Sequence, residues 1–444
     1  MRVILFSIIV LLSYSANSQG NKRVFSMKEA IEFALKRNRS AINAERSVEA
    51  AKKQKWEAIA TGLPQINADI DYQNYLEQPV SLIPSEIFGD EGEFIEVVFG
   101  TKHNVNANAT LSQLLFDGSY IVGLQSAKVF LEISKNAKEK TDLEVRKAVI
   151  NAYGNVLLAE ETAKILAKNK ANLEQNLADT QRIYDNGLIE EENVEQLQIT
   201  LSTVENSYNN AVRLKDIAYH LFNLTLGIKI NTEVSLTDNL EDLAIANTNP
   251  DLIAVPFAIQ NNVDYKIARN NTRAQELQLK FEKSKALPSL VGFVNAGYQG
   301  FSNEFSFLDR DQRWFGVALL GINLDIPLFS GLQRHARTQR TKIELEKART
   351  ELTETEQRLR LELETARSDY QFAIEQYNTS KKNLELAERI EGKNQIKYKE
   401  GISSSFDLRQ AQTQLYTIQQ EYLQAMLDVI NRKTDLEVIL NRKN

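Results

Sequence analysis

Residues 104–111 read Asn-Val-Asn-Ala-Asn-Ala-Thr-Leu, an unbroken alternation in which Val105, Ala107, Ala109 and Leu111 share one face and Asn104, Asn106, Asn108 and Thr110 the other. A period of two predicts a β-strand. The pattern returns with Ala318, Leu320, Ile322 and Leu324 against Leu319, Gly321, Asn323 and Asp325. Ile66, Ala68, Ile70 and Tyr72 alternate with Asn67, Asp69 and Asp71, and Leu290, Val294 and Ala296 are their later counterparts. Two hairpins follow, each with strands of about ten residues or more, apolar on one side and rich in Asn, Asp and Gly on the other. That is the wall of a membrane β-barrel, with lipid outside and water inside. A soluble hairpin on a core explains one such element less awkwardly than two matched ones. Tyr72, Tyr75, Tyr298 and Trp314 near the tips, and Phe116 and Phe329 at the base, are placed for interfacial girdles. Four strands cannot close a barrel, and open edges are not tolerated in lipid. Several copies must therefore share one barrel, and a trimer would supply twelve strands.

The hairpins belong to a duplication. Leu63-Pro64-Gln65-Ile66 recurs as Leu287-Pro288-Ser289-Leu290, Leu115-Phe116-Asp117-Gly118 as Leu328-Phe329-Ser330-Gly331, and Tyr184-Asp185-Asn186-Gly187-Leu188 as Tyr398-Lys399-Glu400-Gly401-Ile402. Phe116 to Gly187 spans 71 positions and Phe329 to Gly401 spans 72. Leu63 to Phe116 spans 53 against 42 in the second copy, so the first carries about eleven extra residues, expected at a loop tip. Pro64, Phe116 and Gly118, and Pro288, Phe329 and Gly331, mark the strand–helix turns.

Between each Phe-x-Gly and the following Gly turn there is no proline, and the period becomes 3.5. Val145, Val149, Ala152, Val156, Ala159, Ala163, Leu166, Leu173, Leu177 and Tyr184 form one seam, which skips Lys170 and Thr180. Shifted by 214 residues, it overlays Leu359, Leu363, Ala366, Tyr370, Ala373, Tyr377, Leu384 and Ala387. This is the coiled-coil period, and some 70 residues make a rod of about 100 Å. The expected organisation is a first repeat over 19–227 (hairpin 63–116, long helix 118–186, return helix 190–226), a linker over 228–250, and a second repeat over 251–440 (hairpin 287–329, long helix 331–399, return helix 403–440). Helices over about 26–61 and 251–285 lead into the two Leu-Pro motifs, and 441–444 is a tail.

Arg2, the apolar run Val3–Leu12 and the small residues up to Ser18 form a secretory signal peptide, residues 1–18. The run is far short of the roughly 20 apolar residues of a spanning helix. The absence of cysteine excludes a Cys-linked lipid anchor, disulfides and thiolate metal sites, and a net charge of −6 argues against nucleic acid. His103, His220 and His335 fall in three separate elements, and no metalloprotease, nucleophile-elbow or phosphate-loop motif is present. No catalytic site, cofactor or metal is expected.

Over essentially its whole mature length the chain resembles the TolC-like outer-membrane factor family, on its duplication, its Leu-Pro and Phe-x-Gly junctions and its two Gly-containing helix turns. The resemblance implies a fold that is mainly α with inserted β. A homotrimer would build a shared twelve-stranded barrel in outer-membrane lipid, on a helical α-barrel crossing the periplasm. An equatorial belt near 228–250 would include Val234, Leu236 and Leu240. The implied function is the exit duct of a tripartite efflux or type I secretion system, with a periplasmic adaptor and a proton-driven (RND) or ATP-driven (ABC) inner-membrane pump as partners. Asn186, Gly187, Leu188, Glu400, Gly401 and Ile402 are the implied adaptor contacts. Tyr398 and Asp407 match the family's closed pore tip, whereas Gln410 and Ser403 stand where a second Asp and an Arg belong. In a trimer Asp407 would set three carboxylates around a narrow axis, raising one another's pKa. Glu190, Glu191 and Glu192 read as an acidic helix start favoured by the macrodipole. The competing reading is a periplasmic or surface coiled-coil scaffold or adhesin; the Asn-rich strands favour the duct.

Overall fold

A computed structural model describes residues 23–84 and 94–442. The expected signal peptide lies outside these residues, as do 443–444 of the tail and the middle of the eleven-residue insertion. The elements are β1 (Arg23–Phe25), α1 (Met27–Arg37), α2 (Arg39–Ala60), β2 (Gln65–Asn74), β3 (Val80–Pro84), β4 (Phe94–Val98), β5 (His103–Asp117), α3 (Gly118–Asp185), α4 (Glu191–Leu226), β6 (Val234–Leu236), α5 (Leu240–Ala246), α6 (Val263–Ser284), β7 (Ser289–Ser302), β8 (Trp314–Asp325), α7 (Gln333–Lys399) and α8 (Ser405–Ile439). The chain divides into two compact units: one holds the chain up to Glu49, Ile133–Arg269 and Glu351 onward, the other Ala50–Glu132 and Asn270–Thr350.

The second unit contains an antiparallel sheet in the order β2-β5-β7-β8. The two hairpins of the duplication thus join through β5 and β7, from His103↔Ser302 to Asp117↔Ser289, with a bulge between Leu114 and Phe116. The register lays Ile66, Leu111, Val294 and Leu320 across one face, and Asn67, Thr110, Asn295 and Leu319 across the other. On the apolar face Ile66 and Ile70 stay 74% and 76% exposed, so one chain leaves this surface uncovered. Each strand joins a helix at one end of the sheet, β2 and β7 following one and β5 and β8 leading into one. In the first copy the passage is immediate: β5 ends at Asp117, whose carboxylate accepts from Tyr120 N and Ser119 Oγ, and α3 starts at Gly118. A Cβ on Gly118 would lie 2.6 Å from Leu287 Cδ1, so this glycine serves close packing rather than a left-handed turn. In the second copy residues 326–332 intervene, and Gly331 (φ +58°) with Leu332 (φ +64°) makes the expected turn. Below the sheet, Ala51, Leu277, Leu345 and Ala348 are buried, and Thr272 Oγ1 donates to Ala348 O at 3.2 Å.

Three expectations are corrected here. The helix expected over 26–61 is two helices. Asn38 is extended (φ −60°, ψ 135°); its Oδ1 accepts from Ser40 N at 2.8 Å and its Nδ2 donates to Thr225 O. One side chain both starts α2 and ties it to the end of α4. The helix expected from 251 begins only at Val263. Pro250 and Pro256 interrupt the approach, short 3-10 turns occupy 250–252 and 259–261, and Asn262 Oδ1 takes Asp264 N at 2.9 Å. The insertion in the first copy is not a plain loop: β3 and β4 pair antiparallel from Val80↔Val98 to Pro84↔Phe94.

In the first unit the core gathers Phe25, Val149, Tyr153, Val156, Phe222, Met426 and Ile430, so seam residues of α3 meet α4, α8 and the short elements. β1 lies parallel to β6. Tyr153 is fully buried and joins them: its hydroxyl shares its one proton between Phe25 O at 3.0 Å and Asp238 Oδ2 at 2.9 Å and accepts from Asp238 N at 3.3 Å. Burial pushes the Tyr153 hydroxyl well above its ordinary value, and the same cause pushes Tyr370 up to about 12. Tyr370 in turn shares its hydroxyl proton between Asn247 O and Asn249 O at 2.8 and 2.9 Å, holding the segment after α5. Replacing Tyr153 with Phe removes all of these bonds without changing shape; the expected loss is about 1–3 kcal/mol, measured as a lowered denaturation midpoint.

Candidate functional site at the helix-hairpin turns

Two helix reversals in the first unit bring together most of the residues singled out by sequence. Both are built alike. Gly187 (φ +71°) donates its N–H to Tyr184 O at 2.7 Å and Leu188 N to Ile183 O at 3.2 Å; Gly401 (φ +72°) donates to Tyr398 O at 3.1 Å and Ile402 N to Lys397 O at 2.8 Å. This is the Schellman ending, in which a left-handed residue lets two orphan carbonyls find donors, and glycine meets it without Cβ strain. In that motif the residue after glycine usually folds back on the helix. Here Leu188 and Ile402 remain 74% and 76% exposed, so each turn presents an unused apolar side chain. Asn186 Nδ2 closes its own helix end on Arg182 O at 2.7 Å, and Glu400 is exposed.

The helices leaving the turns are capped differently. Ser404 and Asp407 form a reciprocal capping box at the start of α8. Asp407 Oδ2 accepts from Ser404 Oγ at 2.7 Å, Ser404 N at 3.1 Å and Ser403 Oγ at 3.1 Å. The Ser404 bonds lead in holding its carboxyl below the usual range, with Ser403 adding to them. Within one chain, therefore, Asp407 is a helix cap with a lowered pKa, opposite in direction to the shift expected from a ring of carboxylates. Gln410 is exposed, further along the same helix. Glu190, at the start of α4, makes no side-chain cap bond.

Tyr398 is half-buried, and its hydroxyl meets Thr180 Oγ1 at 3.0 Å. Thr180 is fully buried. Near the turns, Ser405 Oγ donates to Asn193 Oδ1. Farther up, Asn169 Nδ2 donates to Gln419 Oε1 at 3.0 Å. These bonds tie one hairpin (α3–α4) to the other (α7–α8). Tyr398 is marked by its turn motif but its partner is not, because Thr180 looks like a gap in the apolar seam. Asn169, Asn193, Ser405 and Gln419 are likewise unmarked. The available signal was position: Asn169 and Thr180 fall at seam spacing from Leu173. Leu173, Leu197 and Val204 are buried around this polar layer, with Tyr416 packed against them. Tyr184, the counterpart of Tyr398, makes no such tie among the described residues.

Outside the hairpins, His103 Nδ1 lies 2.8 Å from Tyr72 Oη at one end of the sheet, among Phe305, Phe307 and Trp314. Pro64 and Phe329 are exposed beside the strand–helix junctions, and Pro288 is half-buried. No helix among the described residues is long and apolar enough to cross a membrane. The element with a membrane-compatible surface is the sheet.

A protein-family model described as outer membrane efflux protein matches residues 30–224 and 255–442. The chain belongs to the outer membrane efflux protein family. The unmatched stretch between the two blocks contains β6 and α5. Among solved structures, the chain is similar to the outer membrane protein VceC from Vibrio cholerae, with a TM-score of 0.73 at 15% identity over 94% of this chain and 96% of that one. It is also similar to the Campylobacter jejuni CmeC outer membrane channel, at 0.73 and 15% over 96% and 90%. The open state of the Neisseria gonorrhoeae MtrE outer membrane channel gives 0.70 and 16% over 94% and 89%. At these identities the structures show a common fold. No curated protein matches the sequence. Family membership makes this an outer membrane efflux protein and disfavours a scaffold or adhesin.

The cap at Asp407 has a defined pH dependence. A carboxyl with a lowered folded pKa stabilises its helix end fully above its ordinary value of 3.8, and that contribution is lost as pH falls through the lowered folded value. Amide hydrogen exchange over the first turn of α8 should therefore speed up below about pH 4 relative to the first turn of α4, whose Glu190 makes no such cap. In Asp407→Ala it should be fast already at neutral pH.

Proposed function

We propose that three copies close one twelve-stranded barrel and that their helices continue it as a passive duct, closed near the hairpin turns and opened when a periplasmic adaptor engages them. The sheet carries this reading: one apolar face, one polar face, and two edges, β2 and β8, with no partner strand among the described residues. In hydrocarbon each unpaired backbone group costs several kcal/mol, so the edges demand one another from neighbouring copies. Four strands per copy and three copies give twelve, within the range of bacterial barrels. Purified protein should run as a trimer in mild detergent and conduct ions across a planar bilayer. A monomer that leaves a bilayer silent would sink the proposal.

The tie between Tyr398 and Thr180 supports a closed resting state, because parting the two hairpins there leaves the buried Thr180 hydroxyl without its partner. The cost of about 1–3 kcal/mol per tie is small enough for a binding partner to offset. Tyr398→Phe should raise open probability in bilayers by roughly tenfold, since about 1.4 kcal/mol corresponds to that factor. Unchanged gating would remove Tyr398 from the gate; Asp407 and Gln410 would line the same constriction. Leu188 and Ile402 are proposed as apolar knobs for the adaptor, framed by Asn186, Gly187, Glu400 and Gly401. Leu188→Asp with Ile402→Asp should abolish export in cells while the trimer still assembles; export at the normal level would assign both to the turns alone. The proposed energy source is an inner-membrane pump of the proton-driven or ATP-driven kind, for efflux or type I secretion.

A further inference from the structure

We infer that the helices beside the sheet form a cationic collar that grips anionic phospholipid headgroups of the periplasmic leaflet. The inference rests on the barrel reading above and adds to it a lipid preference. All the residues concerned lie in the second compact unit, together with the sheet. Counting about 15 Å along each helix from its sheet-side end, and taking in Lys285 just past the end of α6, the residues are 51–60, 118–127, 275–285 and 333–342. Together they hold ten lysines and arginines against three glutamates, in a chain that carries 53 basic and 59 acidic residues overall. The charge is thus segregated against the trend of the molecule. α2 contributes Lys52, Lys53 and Lys55 against Glu57; the end of α6 contributes Lys280, Lys283 and Lys285 against Glu276 and Glu282; the start of α7 contributes Arg334, Arg337, Arg340 and Lys342 and no acid.

Internal pairing does not use up this charge. Lys285 is bridged to Glu282 at 2.8 Å, and Glu276 is taken by Arg273 and Arg349. Lys53, Lys280, Lys283, Arg337, Arg340 and Lys342 are exposed and make no ion pair among the described residues. Arg334 Nη1 is buried without a hydrogen-bond partner.

A soluble anion would explain the charge but not the apolar side chains beside it. Trp56 stands out of α2 among the three lysines, and Leu328 and Phe329, six and five positions before Arg334, are 88% and 83% exposed. Apolar groups that sink into the acyl boundary, with cations a few ångströms outside it, suit the edge of an anionic leaflet. The site follows directly on strands whose outer face is apolar, so the collar falls at headgroup depth when the sheet spans the bilayer. Each such cation near an anionic surface contributes about 1 kcal/mol, screened by salt.

The test uses full-length trimer and two vesicle compositions, phosphatidylcholine alone and phosphatidylcholine with phosphatidylglycerol. Wild-type protein should insert at least about tenfold faster into the phosphatidylglycerol vesicles in low salt, and the preference should collapse in 0.5 M salt. The combined variant Lys280→Gln, Lys283→Gln, Arg337→Gln, Arg340→Gln and Lys342→Gln should lose the preference while still inserting into phosphatidylcholine, which shows that it folds. A control losing five charges elsewhere (Lys28, Lys36, Lys382, Lys393 and Lys399, each to Gln) should keep it. Equal insertion of wild type into both compositions overturns the collar and points to neutralisation by a neighbouring copy. A preference retained by the collar variant, or lost equally by the control, overturns it too. Protein that inserts into neither composition overturns the barrel reading and the collar with it.

Discussion

A backbone amide in hydrocarbon has no water to fall back on, and this constraint organises the whole molecule. The chain builds four strands whose central pairs satisfy one another, and it leaves the outer edges of β2 and β8 open. Ten residues of β2 and twelve of β8 each expose about half of their N–H and C=O groups to whatever lies beside them. At several kcal/mol per unsatisfied group, the total far exceeds the stability of an ordinary domain. The chain therefore cannot be complete alone in a membrane. Duplication supplies the strands in pairs, and the two copies meet at β5 and β7, so a single unbroken sheet is presented to the neighbours.

The same duplication produces two helix hairpins whose turns are nearly superimposable in hydrogen bonding but whose surroundings are not. Tyr398 reaches a buried Thr180 and Tyr184 makes no equivalent tie; Ser404 and Asp407 cap α8 tightly and Glu190 leaves α4 without a side-chain cap. A repeat that keeps its turn geometry and changes its side-chain ties becomes a pair of unequal parts, and unequal parts can move differently. The polar layer formed by Asn169 and Thr180 suits such a role, because these side chains are buried within an otherwise apolar seam and bond across the hairpins to Gln419 and Tyr398. Hydrogen bonds there are directional, so they specify one packing more sharply than leucines would, and they give way one at a time. Charge is segregated as well. Ten of the 53 basic residues, against three glutamates, gather where the helices meet the sheet, beside the exposed Trp56, Leu328 and Phe329.

Legibility in the sequence followed the range of the interaction. The strands at 104–111 and 318–325, the long helices, the repeat and the turns at Gly187 and Gly401 could be read from local pattern. A pleated strand alternates every two residues, a supercoiled helix repeats every 3.5, and a left-handed turn favours glycine, each without reference to the rest of the fold. Asn38 was not legible as a break, because within an amphipathic run an asparagine looks like one more exposed residue; the carbonyl of Thr225, distant in sequence, gives it its role. β3 and β4 look like loop in the sequence because a short hairpin has too few residues to show a period. Thr180 was read as a gap. Its partner lies 218 residues away, and a polar side chain in an apolar seam has the same local signature whether it is solvated or paired. By itself, then, the sequence determined the two periods, the duplication and the turns, since backbone geometry alone imposes them. The tertiary structure decided which polar residues find each other, how the two copies differ and where the charge gathers, since those depend on side chains brought together from distant parts of the chain.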